Sequence, residues 1–507
     1  MLQATATITR PSSSGSSHDQ DPDSRQDDHH TPSASEDWGI VPSACTACRG
    51  KHLKCDGGHP CSRCQGHGFL CYRKYCVEGF FHFFHKSHPF LHPREHAIEM
   101  LRRRPVLHLE TAMCCIGSQY VSTTLTANFA LELETLLASP DIPNDGFLVQ
   151  ALLLFAIGLD GNNEQTKAFQ VLSQTQKLAI RLGMHQNDFA TLNSEGSKVL
   201  EESWRRTWWE LYVVSGLISG LHQISTFHLC GITTTVGLPC EEDMFRSGSI
   251  PTPHTIDEFD NHPFTNENLE WSSYTYRIAA VRNLGRVLQS QEAFPDNQLF
   301  DRVENQLANW RLHLPNSKQE YFDLSGQVDE LLFQAHMITH VSAILLHRQF
   351  SQLNTSASQS ITSCAPHARG APGSHLNGIH TVRTVQSATD ITRLISLPGS
   401  LVKHTHFFTC AIALASIIHL SCWSVSNSID EGHDLEGLVR MSIGGLKAMA
   451  NVWPSAQKVL SQVTRVAQEI FVNCISVLNV PLWNALEDKD IESFAEGENI
   501  GNDFQFQ

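Results

Sequence analysis

Apolar residues return at intervals of three and four along most of the chain from about residue 110 to 225, with no run of strict apolar/polar alternation. That period is the signature of amphipathic helices and argues against a sheet. Phe147, Leu148, Ala151, Leu152, Phe155 and Ala156 make one such face, and Ala168 to Leu182 makes another, closing at Gly183, a suitable C-terminal cap. The run EESWRRTWWELYVVSGLISGL at 201–221 places Trp and Leu residues at helical spacing, which predicts a core helix before it predicts a ligand site. Residues 246–270, with Pro, Asp and Asn, read as a surface loop. Helical periodicity resumes over Tyr276 to Leu288, Phe300 to Leu314 and Val328 to Phe350, and again around 381–396, 403–424 and 435–480. Between them, residues 351–380 are rich in Ser, Thr, Gly and Pro and read as a flexible insertion. The most apolar run, FFTCAIALASIIHLSCW at 407–423, is interrupted by Thr409, Ser416, His419 and Ser421, so it predicts a buried helix and not a membrane span.

Both ends depart from this pattern. Residues 1–41 are rich in Ser, Asp, Pro and His, with seven acids against Arg10 and Arg25, and predict a disordered arm. Residues 482–507 carry seven acids against Lys489, interleaved with Trp483, Leu486, Ile491, Phe494, Ile500, Phe504 and Phe506. Such a segment stays solvated while offering aromatic side chains to a partner groove, so it is a candidate activation segment, the other reading being a polar tail closing the bundle.

With 507 residues and 41% hydrophobic content, the chain can bury a sizeable core. Its formal charge of −16 confines any attraction for nucleic acid to a local basic module. That module is visible. Between Cys45 and Tyr75 there are six Lys or Arg (Arg49, Lys51, Lys54, Arg63, Arg73, Lys74) against the single acid Asp56.

The same stretch, ACTACRGKHLKCDGGHPCSRCQGHGFLC, repeats the spacing C-x2-C-x6-C twice through Cys45, Cys48, Cys55, Cys61, Cys64 and Cys71. Paired thiolates at C-x2-C spacing bind zinc tetrahedrally. Six sulfurs exceed the needs of one ion and fall short of two separate four-sulfur sites. Two zinc ions sharing two bridging thiolates resolve the count, and with every position filled by sulfur the metal is structural. A disulfide framework suits short secreted chains instead. The other nine cysteines, among them Cys76, lack paired spacing and read as free thiols.

These residues resemble the fungal zinc binuclear cluster (Zn2Cys6) DNA-binding domain, with Arg49, Lys51, Lys54, Asp56 and Pro60 at its characteristic positions. The resemblance implies two short metal-bound helices at 42–75, the first directed into the major groove at CGG triplets. It also implies DNA contacts from Arg49, Lys51, His52, Lys54, Arg63, Arg73 and Lys74. His52 stands where the family usually carries a second lysine, and a neutral imidazole offers a single donor to a guanine edge. Downstream, FFHFFHKSHPFLHP at 80–93, AIRLGMHQND at 179–188, the Glu202 to Tyr212 core and TTTVGLPCEEDMF at 233–245 resemble the fungal-specific regulatory domain, or middle homology region. That resemblance implies an all-α regulatory domain over 78–480, in which His82, His85, His88 and His92 belong to a core and not to a metal site. No heptad run fits between Cys71 and Phe80, so a zipper directly after the cluster is excluded and a homodimer would use the helical domain.

The expectation is therefore a nuclear, zinc-dependent, sequence-specific transcription factor. Its partners would be double-stranded DNA and the transcription machinery or coactivators, with no membrane, and control of a metabolic or secondary-metabolite gene cluster is what the resemblance implies. The alternative is a zinc-containing protein-interaction or repressor factor with weak DNA selectivity. H-E-x-x-H, G-x-S-x-G, P-loop and G-x-G-x-x-G signatures are lacking from the sequence, which speaks against an enzyme.

Overall fold

Where the hydrophobic period is 3.6 the chain is helical. The computed structural model describes residues 72–478 except 223–226, 262–269, 293–296, 313, 324–325, 352, 354–377 and 425–428. The N-terminal arm, the six-cysteine module through Cys71, nearly all of the expected insertion and the acidic tail lie outside the described residues. Among those described, the one β pairing is an isolated bridge between Phe322 and Val328.

The chain enters on α1 (Arg73–Gly79), which runs directly into a π-helical turn, Phe80–Phe84. Phe80, Phe83 and Phe84 point into the core, where Phe83 stacks on Tyr120 with ring centroids 4.9 Å apart. Then come α2 (Arg94–Arg103), α3 (Leu107–Ser118) and α4 (Thr123–Leu137). On α2, Arg102 and Arg103 are exposed and pair with Glu99 one turn back, a solvated face.

Next in the chain are α5 (Gly146–Gly161) and α6 (Gln165–Arg181). Asp145 caps α5 by accepting from the Leu148 amide at 3.0 Å, and nearly every side chain of that helix is buried. The α6 helix ends as its sequence suggests. Gly183 takes φ +79°, and the Met184 amide reaches back to the Ala179 carbonyl at 3.0 Å.

After the short α7 (Asn187–Leu192), the central element is α8 (Lys198–Leu221), capped by Ser197 and buried along almost its whole length. A helix covered on all sides must be wrapped by others. It packs against α11 (Ser273–Glu292), reached through α9 (Glu242–Ser247) and α10 (Ile256–Asn261). At Gly216 the two helices approach so closely that an added Cβ would lie 2.4 Å from Val281 Cγ1. The α10 helix falls inside the expected loop 246–270. Thr255 and Glu258 form a reciprocal cap there, the Glu258 amide donating to Thr255 Oγ1 at 3.2 Å, and that T-x-x-E signature was legible in the sequence.

The remaining elements are α12 (Asn297–Leu312), α13 (Asn316–Gln319), α14 (Glu330–His347), α15 (Ile379–Leu394), α16 (Phe408–Trp423), α17 (Ile429–Ala450) and α18 (Pro454–Leu478). The span expected as one helix over 435–480 is two, because Pro454 cannot continue a helix and sits at the first position of α18. The apolar run at 407–423 is the buried α16, and among the described residues no helix is long and apolar enough to cross a membrane. One continuous hydrophobic core extends from Phe80 to Val463.

Candidate nucleic-acid interface and its mounting

The six cysteines and Arg49, Lys51, His52, Lys54 and Arg63 lie outside the described residues, so their mutual geometry is not part of the structure. The donor set itself, six thiolates in two C-x2-C-x6-C repeats, is chemically suited to zinc. Among the described residues no group of three or more His, Cys, Asp or Glu side chains could hold a metal.

Two expected DNA contacts fall in α1. Lys74 is exposed there. Arg73, by contrast, turns inward. It is 7% exposed, Nη1 donates to Thr111 Oγ1 at 3.2 Å, Nη2 pairs with Glu132, and the guanidinium lies 5.4 Å from the Phe129 ring centroid. An arginine so engaged holds the helical domain together, and its charge is offset by Glu132 instead of being offered to phosphate. Cys76 is also inward, packed with Cys114, Cys115, Leu125 and Phe129. Burial pushes its thiol up to about 12, outweighing the nearby Arg73, so it stays protonated and is not a thiolate donor.

Of the four histidines of the 80–93 run, His85, His88 and His92 serve the core, whereas His82 is exposed on the surface of the π-helical turn, contrary to expectation. His85 and His92 are each driven down to about 4 by burial, so their rings are neutral. His88 is fully buried, stacks on Phe84, and joins Glu210 through Nδ1 at 2.8 Å and Thr405 through Nε2 at 3.1 Å. Glu210 is the hub of a buried network. It accepts from Tyr274 Oη at 2.5 Å and pairs with Arg277, whose Nη1 donates to Gln334 Oε1 at 2.8 Å and to the Ser87 carbonyl at 3.2 Å. Burial alone would raise the Glu210 carboxyl, but Arg277, His88 and Tyr274 more than offset it and hold it down to about 2.

A second network fixes the W-R-R-x-W-W segment. Arg205 bonds Glu202 at 2.9 Å and Glu201 at 2.8 Å, while Arg206 bonds Glu202 at 2.9 Å, the Pro89 carbonyl at 3.0 Å and the Cys240 carbonyl at 2.8 Å. Trp204, Trp208 and Trp209 are buried beside them. These residues tie the 80–93 run and the 233–245 segment to α8, a structural task.

Sequence reasoning missed one cluster. Asp160, at the end of α5, takes His222 Nε2 on one oxygen at 2.8 Å and His406 Nε2 on the other at 2.9 Å. Burial would raise the Asp160 carboxyl, yet His222 and His406 hold it below the usual carboxylate range. The adjoining cavity, about 20 Å³, has room for roughly one water. The only sequence signal was an acid closing an otherwise apolar helix, and its partners lie 62 and 246 residues away.

Two family models match the chain. Residues 43–75 match the model of the fungal Zn(2)-Cys(6) binuclear cluster domain, and residues 77–312 match that of the fungal specific transcription factor domain. The chain is similar to the C6 finger domain transcription factor iacK of Pestalotiopsis fici, with 34% identity over 574 residues covering 91% of this chain and 85% of the relative. No solved structure matches.

Proposed function

The chain belongs to the fungal Zn(2)-Cys(6) transcription factors that carry a fungal specific transcription factor domain, and from that premise we propose that it reads a CGG-like major-groove site. Family membership makes it a zinc-binding, DNA-binding regulator of transcription and not an enzyme. The finer reading is ours. Cys45, Cys48, Cys55, Cys61, Cys64 and Cys71 would hold two zinc ions. Zinc supplies the fold of the module, whereas DNA contact falls to this chain's own side chains. Arg49, Lys51, His52 and Lys54 meet base edges and backbone, and Arg63 and Lys74 meet phosphates.

In this reading the arm at 1–41, the module at 42–75, the helical domain at 78–480 with its insertion at 351–380, and the tail at 482–507 are separate in task. The helical domain regulates and carries any homodimer contact, and the acidic tail engages coactivators. The chain acts in the nucleus on RNA polymerase II genes, the kind of target being a metabolic or secondary-metabolite gene cluster. The observation that carries the proposal is the doubled C-x2-C-x6-C repeat, with basic residues clustered in a chain of net charge −16. Selection from random duplex DNA with the zinc-loaded full chain tests it. Enrichment of a CGG-like triplet, alone or paired at fixed spacing, is expected. Absence of any enriched sequence from protein carrying its zinc would favour the interaction-factor alternative, for which the replacement of a base-reading lysine by His52 is the specific ground.

A further inference from the structure

The last zinc ligand and the helical domain are separated by almost nothing. Tyr72 alone stands between Cys71 and Arg73, the first residue of α1, and two Cα steps span at most about 7.6 Å. The α1 helix is in turn held from two sides. Along α3, three positions one helical turn apart each take hold of it. Thr111 accepts from the Arg73 guanidinium, the Cys114 thiol donates to the Arg73 carbonyl at 3.6 Å, and Gly117 lies under Cys76. The last contact is backbone on backbone, since a Cβ at Gly117 would fall 1.7 Å from the Cys76 carbonyl oxygen and 2.8 Å from the Phe80 amide nitrogen. From the other side α4 supplies Glu132, paired with Arg73, and Phe129 beneath its guanidinium. Cys76 and Gly79 are buried, and the helix continues without a break into the Phe80–Phe84 turn that fills the core.

We propose that α1 is a fixed mount, in which Arg73, Glu132 and Gly117 hold on the helical domain the point at which the zinc module joins it, so that the module is carried from an anchored helix and not from a free linker. Arg73 and Glu132 are positioning residues; they act on DNA recognition only through the placement of the module. The inference rests on the module at 42–75 being the DNA reader, but the clamp itself can be tested without DNA.

The test is limited trypsin digestion of the zinc-loaded full chain, tracking cleavage after Lys74 by mass spectrometry. Lys74 is exposed, but its peptide bond lies within α1 and reaches a protease only when that helix opens. Glu132→Gln removes the charge partner of Arg73 and is expected to speed cleavage after Lys74 by about tenfold or more, the scale set by a lost charged hydrogen bond. Gly117→Ala, which drives the two backbones apart, is expected to speed it further. An unchanged far-UV circular dichroism spectrum and urea midpoint show that the domain interior is intact in each variant. If Gly117→Ala fails to fold, Glu132→Gln decides alone. Cleavage after Lys74 in the unmodified chain as fast as in Glu132→Gln, within twofold, overturns the mount. Loss of triplet selection by all of these proteins would count against the DNA reading and leave the proteolysis result standing.

Discussion

Replacing Arg277 by Met isolates the buried charge network. Both Arg277 and Glu210 have fully buried side chains, so the substitution leaves a carboxylate with no full positive charge beside it in the domain interior. Breaking a buried pair by removing one partner costs about 3–5 kcal/mol. The further loss of donors to Gln334 and to the Ser87 carbonyl places Arg277→Met toward the upper part of that range. With a denaturant slope of roughly 4 kcal/mol/M for a unit of this size, the urea midpoint should fall by about 1 M.

The cost must also depend on pH. In the unmodified protein Glu210 is held down to about 2, below its unfolded value, so it contributes stability that is fully present above about pH 4.5 and lost as the pH falls toward 2. Without Arg277, burial dominates and the carboxyl titrates at higher pH, so the variant has less of this stability to lose on acidification. The gap between the two proteins is therefore widest above the raised pKa of Glu210 in the variant and narrows steadily as the pH falls below that value towards 2. Urea unfolding monitored by far-UV circular dichroism of the helices at pH 7 and pH 4 measures both effects. Arg103→Met, which breaks an exposed pair with Glu99, is the control and should cost less than about 1 kcal/mol. A loss under about 1 kcal/mol for Arg277→Met at pH 7, or a loss that does not change with pH, would refute the reasoning.

Three further outcomes are expected. Cys61→Ala should lower zinc content and abolish specific DNA binding, as should a strong chelator; normal zinc and affinity in that variant would remove Cys61 from the cluster. His52→Lys should raise affinity for a CGG-containing duplex by about tenfold at fixed salt, read by fluorescence anisotropy, since it restores a charged donor at a guanine edge; equal affinities would take His52 out of base readout. Gly216→Val should cost about 1–3 kcal/mol in the same urea assay, because the new side chain would overlap Val281 and Phe227 where α8 meets α11; an unchanged midpoint would mean that the two helices can separate without loss.

Much was legible from local pattern, because local pattern is governed by local physics. The period of the apolar residues specified helices, Gly183 specified the end of α6, and the cysteine spacing with its surrounding lysines and arginines specified zinc and an anionic partner. Pro454 and the Thr255/Glu258 cap carried equally local information, which explains why the break between α17 and α18 and the short α10 are consistent with the sequence although the coarser pattern passed over them. Arg73 shows the limit. Counted along the chain it is one more cation beside a basic module, and only the folded arrangement of α3 and α4 puts Thr111, Phe129 and Glu132 around it and turns a candidate phosphate contact into an anchor. The Asp160, His222 and His406 cluster is similar, its members separated by tens to hundreds of residues. Composition and periodicity decide which stretches are helical and which of their faces are apolar, since each depends on the side chains within a turn or two. Which buried charge meets which depends on how the helices cross, and that is decided only when the whole core closes.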